Sequence, residues 1–191
     1  MMLVMFMVFA GPAMAHPVLS VLVREMDPMV SASAITGYIF CVMGLASAVA
    51  SLGVSRVGAS IGLRRILGAS AFVGGIIYSL MFVAQNVAQV FLIIGLVGFF
   101  SGAMMAAATV SVALMVPRDK QGRAFGAVQS VVSMSFGLGP LLGGSVAVLL
   151  GLEEVFLVSA AFFIMVAVLV SRVTHIGESA PPSVEEARVT A

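Results

Sequence analysis

The chain has 191 residues, 61% hydrophobic and 9% charged, with a formal net charge of +1 and a single cysteine. Soluble domains average roughly half apolar and about a quarter charged, so a water-exposed globule is excluded. A charge this small, without a basic patch interleaved with aromatics, also excludes nucleic acid as a partner, and the lone Cys41 excludes a disulfide or thiolate-metal framework within one chain.

A helix that crosses roughly 30 Å of hydrocarbon needs about 20 mostly apolar residues. Six stretches qualify: 3–23, 33–54, 66–84, 89–115, 124–149 and 155–171. Backbone groups in lipid must pair internally, and none of these runs alternates as a barrel strand would, so the fold class is an all-α membrane protein. The first run contains Ala13-Met14-Ala15, which looks like a signal-peptidase site. No basic segment precedes it and the run stays apolar to Val23, so it reads as a retained span.

Orientation follows from the basic residues. The gap 55–65 holds Arg56, Arg64 and Arg65; the gap 116–123 holds Arg118, Lys120 and Arg123; the end of the chain holds Arg172 and Arg188. The alternate gaps hold only Arg24, beside Glu25 and Asp27, and later Glu153 and Glu154. The positive-inside rule therefore predicts a multi-pass protein of the cell (inner or plasma) membrane with both termini cytoplasmic. Residues 1–172 form the membrane domain. The polar stretch 173–191, with Pro181-Pro182 and Glu185-Glu186, is expected to be a disordered cytoplasmic tail.

Small residues recur on one face of several spans. The second carries Gly37, Cys41, Gly44, Ala48, Ser51 and Ser55; the fourth Gly95, Gly98 and Gly102; the fifth Gly126, Ser130, Ser133, Gly137 and Gly144. Without a hydrophobic drive between helices in lipid, such faces let backbones approach. Gly11-Pro12, His16-Pro17 and Gly139-Pro140 predict breaks or kinks in the first and fifth spans.

Two segments carry a family resemblance. VSRVGASIGLRR, 54–65, resembles the loop between the second and third helices of a half of major facilitator superfamily transporters, with Gly62, Arg64 and Arg65 matching and Arg56 nearby. Ser55, Ala59 and Ser60 replace the Gly, Asp and Arg of the strict pattern, as in the worn copy of a second half. PRDKQGRAFGAVQSVVSMSFGLGPLLGG, 117–144, resembles the loop and fifth helix of the drug:proton antiporter branch, with Gly137, Gly139, Pro140, Gly143 and Gly144 on its Gly-Pro pattern.

The resemblance implies a six-transmembrane-helix bundle like one half of the major facilitator fold, itself a three-plus-three inverted repeat. It implies alternating-access transport of small molecules, drug or metabolite efflux of the multidrug antiporter kind, with the lipid bilayer and a small-molecule substrate as partners. The other half would be missing, separately encoded, or a second copy of this chain. The alternative is a non-transporting six-helix interaction or structural protein, or an inactive transporter remnant.

In such a half the first, second, fourth and fifth helices face the central cavity. The candidate substrate-binding residues on them are Tyr38, Phe40, Phe99, Phe100, Met104, Gln129, Ser133 and Phe136. Apolar walls with few polar anchors suit bulky amphipathic compounds, and Gln129 stands out because a buried amide needs a partner. No enzyme activity is expected: every acid lies in a gap or the tail, the histidines are only His16 and His175, and no nucleophile is paired with a base. No cofactor and no metal site are expected. His16 is the one intramembrane candidate for proton coupling, an acid for that purpose being expected in the other half.

Overall fold

Hydrocarbon offers no partners for backbone N–H and C=O groups, and the described residues are helical almost throughout. The structure, a computed structural model, describes residues 2–26 and 31–172. The expected tail at 173–191, with Arg188 and His175, lies outside the described residues, as does Asp27.

The helices are α1 (Met2–Met26), α2 (Ala32–Ile61), α3 (Leu63–Ser79, continued by a 3-10 turn at Leu80–Val83), α4 (Val87–Met115), α5 (Gln121–Leu149) and α6 (Leu152–Arg172). All six are long and apolar enough to cross a membrane, which makes the chain an integral multi-pass membrane protein. Most run past the charge-bounded stretches: α2 takes in Arg56, α5 Arg123, and α6 Glu153, Glu154 and Arg172. A charge ends the apolar stretch but not the helix, because long side chains reach water at the interface. Pro12 and Pro17 lie inside α1 and Pro140 inside α5, and neither helix ends there. The prolines therefore end neither helix: tightly packed neighbours let a lipid-embedded helix continue past a missing donor.

The tightest pairings are α2 with α4, α1 with α5 and α3 with α6, followed by α3 with α4 and α1 with α6. Exchanging α1–α3 with α4–α6 maps this set onto itself, so the two triplets are packed as an inverted repeat. α1 and α4 form the centre, with 61% and 50% of their apolar windows buried, against 17% for α2 and for α5. The two least buried helices are thus equivalent members of the two triplets.

Hydroxyls tie α1 to its neighbours. Ser159 on α6, fully buried, donates to the Gly11 carbonyl at 3.0 Å, and Ser135 on α5 donates to the Phe6 carbonyl at 3.2 Å. Between α3 and α6 the rings of Tyr78, Phe156 and Phe163 fill the core, Phe163 lying 5.4 Å from Tyr78 in an edge contact. The uncharged gap before α4 is organised by its cap, where Asn86 Oδ1 accepts from Gln89 N–H at 2.9 Å. Gln89 Oε1 in turn accepts from Gln85 N–H at 2.8 Å.

Glycines fall into two classes. Gly98 and Gly102 of α4 meet the backbone of Met43 and Ser47 on α2, where an added Cβ would lie 2.6 Å from Met43 O and 2.5 Å from Ser47 O. Gly139 and Gly143 of α5 meet Ala13 and the backbone of Met14 on α1 in the same way. By contrast Gly37 and Gly44 on α2, and Gly126, Gly137 and Gly144 on α5, have nothing within 4 Å of such a Cβ. The Gly-Pro motif is therefore split, two of its glycines locking α5 onto α1 and two lying open.

Candidate functional site

Phe9 and His16 are seven residues apart on α1 and share one face. Each meets a predicted site residue from a flanking helix. Phe9 lies 6.5 Å from Phe136 of α5, ring centre to ring centre at 57°, and His16 lies 5.2 Å from Phe40 of α2 in an edge contact at 72°. His16 Nε2 is buried without a hydrogen-bond partner, and so is Thr36 Oγ1, one turn before Phe40 on α2. Buried polar atoms are normally paired, so these two stand out, although both are closed off from the surface. The half-buried rings around them suit a compound that is mostly apolar.

The other predicted residues scatter. Gln129 and Ser133 are exposed on α5, on the face that carries Phe136. Gln129 is thus not the buried amide that the sequence argument assumed, and it joins the site by position on the helix alone. Tyr38, 69% exposed, lines a shallow apolar depression of about 540 Å³ between α2 and α4 with Ile35, Cys41 and Phe91. Two residues from Phe40, it points away from the His16 contact. Phe99 is exposed. Phe100 packs toward α3, its Cβ 3.2 Å from where a Cβ on Gly74 would sit, and Met104 is fully buried. Met104 is therefore a packing residue of the bundle, while Phe100 is half-buried with its Cβ on the α3 side. Phe9 escaped the sequence reading because one more Phe in an apolar helix has no contrast; its spacing from His16 was the only signal.

The loop motif has a mechanical role. Gly62 is the sole residue between α2 and α3, at φ 88°, a conformation that costs other residues the clash of Cβ with the backbone. The turn delivers Arg64 to the end of α6, where Nε donates to the Val170 carbonyl at 3.1 Å and Nη2 to the Ser171 carbonyl at 2.7 Å. A cation on the last carbonyls complements the negative end of the helix. Arg65 and Arg56 are exposed. Arg64→Gln is expected to destabilise the bundle by about 1.5–3 kcal/mol, the range for hydrogen bonds from a charged donor. Thermal unfolding in detergent would read this. Arg64→Lys should recover less than half, since a point charge cannot serve two carbonyls as a planar fork does.

Comparison with known proteins agrees with this architecture. The sequence profile of the Major Facilitator Superfamily matches residues 1–190. The multidrug resistance protein MdtG of Dickeya zeae (strain Ech586) is 34% identical over 125 residues, 65% of this chain and 30% of that protein. MdtG of Escherichia coli (strain K12 / DH10B) is 33% identical over 130 residues, 68% of this chain and 32% of that protein. The chain spans about a third of the length of the curated relatives it matches. With six membrane-crossing helices packed as two inverted triplets and a family match over nearly all its length, this chain belongs to the Major Facilitator Superfamily.

Proposed function

We propose that the chain is one six-helix half of a carrier that exports small, apolar or amphipathic molecules, drugs among them, by alternating access. The observation that carries this reading is the pair of open small-residue seams on α2 and α5. Large side chains face lipid without penalty, whereas rows of Gly, Ala and Ser gain nothing there and gain dispersion contacts against another helix. A second six-helix unit, linked, separately encoded or a second copy, docks on the two seams and closes a cavity over the Phe9, His16, Phe40 and Phe136 surface. The multidrug resistance names of the relatives support export of such compounds. The basic residues on the α2–α3 and α4–α5 turns support a cell-membrane orientation with both termini inside. The work is binding and rocking, with no catalytic step.

The test is accumulation of a lipophilic cationic dye in pump-deficient cells. Expression with the other six-helix unit should lower accumulation, and the chain alone should lower it only where a second copy serves as that unit. Phe136→Ala should raise the dye concentration at half-maximal efflux by roughly two- to tenfold, the worth of an aromatic pair. Unchanged accumulation with every candidate partner would overturn the transport reading.

A further inference from the structure

We propose that the groove between the start of α3 and the end of α6 binds an anionic glycerophospholipid from the leaflet on the basic side of the membrane. The groove has a volume of about 790 Å³ and is lined from the α2–α3 turn downward by Gly62, Arg64, Arg65, Ala69, Phe72 and Val168, among others. Its upper part is cationic and its lower part apolar, which is the order of groups in a phospholipid that enters from the interface.

Three features place the phosphate. Arg64 spends two of its five N–H donors on the α6 carbonyls, leaving three for another acceptor. Arg65, next to it, is exposed and lines the same groove. The first turn of α3 has no side-chain cap, so the positive end of a 17-residue helix opens on the same space. On the same side of the membrane, the ends of α2 and α6, the α4–α5 turn and the start of α5 hold Arg56, Arg118, Lys120, Arg123 and Arg172, against Asp119 as the one acid on that side among the described residues. The site is therefore built for an anion.

The walls select a lipid over a free anion. Gly68 and Ala69 leave the α3 side of the groove without bulk, and Phe72 and Val168, 53% and 46% exposed, flank it on the membrane side. An acyl chain can lie along these residues while the phosphate stays at the depth of the arginines. Basic pockets between membrane helices recognise lipid headgroups by this combination. Arg64 would then be doubly engaged, holding the α6 terminus with one edge of its guanidinium and the phosphate with the other.

The experiment is native mass spectrometry of the purified full chain, delipidated and offered phosphatidylglycerol and phosphatidylcholine in equal amounts. The wild type should retain phosphatidylglycerol preferentially. Arg65→Gln should reduce that preference about fivefold, the worth of one basic residue at a membrane surface, and Arg65→Lys should keep most of it. Ala69→Trp, which fills the groove without touching a charge, should abolish retention, whereas Arg123→Gln, a basic residue outside the groove, should not change it. Equal retention of the two lipids, equal losses for Arg65→Gln and Arg123→Gln, or retention in Ala69→Trp would overturn the proposal. Displacement of the lipid by millimolar inorganic phosphate would overturn it as well, assigning the arginines to a soluble anion instead.

Discussion

Adding one methyl group is expected to have opposite effects at adjacent glycines of α5. Gly143→Ala should destabilise the bundle by about 1–3 kcal/mol, the usual cost of overpacking, because the new Cβ collides with the Met14 carbonyl oxygen and would lie 2.9 Å from its carbonyl carbon. Both are backbone atoms of the most buried helix, so neither can swing aside. Gly144→Ala meets nothing within 4 Å and should instead stabilise by up to about 1 kcal/mol, the difference in helix propensity between the two residues. The same pair of signs is expected at the equivalent contact between α2 and α4, with Gly102→Ala destabilising against Ser47 and Gly44→Ala neutral or stabilising. Thermal unfolding of the purified chain in one detergent reads all four. Equal effects at Gly143 and Gly144 would mean that α5 is not seated on α1 as described.

The split between these glycines marks what could be read from the sequence and what could not. Six spans were legible because a bilayer imposes length and hydropathy on each span separately. The seams on α2 and α5 were legible as faces, since spacing of three and four places residues on one side of a helix. Spacing does not say which partner a face meets. Gly98 and Gly102 turned out to be buried against α2, while the seam on α2 itself, from Gly37 to Ser55, lies largely open.

Arg64 shows the same limit over a longer distance. Its place in the family's loop was readable, but the carbonyls it caps belong to Val170 and Ser171, more than a hundred positions along the chain. Among the site residues, Phe40 and Phe136 do converge on α1, whereas Met104 is fully buried and Phe100 lies half-buried beside α3. An apolar helix in lipid has a weak amphipathic signal, so choosing its cavity face from composition alone has little to hold on to.

The largest functional effect is expected from substitutions that leave this half intact. Gly44→Leu and Gly137→Leu place a bulky side chain in the middle of the open seams, where nothing lies within 4 Å of the new Cβ. Within the six-helix bundle each should be nearly neutral and unfold at the wild-type temperature. Against a second half they should act as wedges, because close helix approach in lipid depends on small side chains and a leucine forces the backbones apart. A loss of even 1.4 kcal/mol at the seam is about tenfold in association, and overpacking commonly costs more than that. Dye efflux should therefore fall by about tenfold or more for either variant, with expression level and unfolding temperature unchanged. Gly44→Ala and Gly137→Ala should retain most of it. Since α2 and α5 are equivalent members of the two triplets, the two leucine variants should fail to similar degrees, and crosslinking yield to the partner half should drop with efflux. If both leucine variants transport normally, the seams face lipid in the working protein, and the other half has to dock elsewhere.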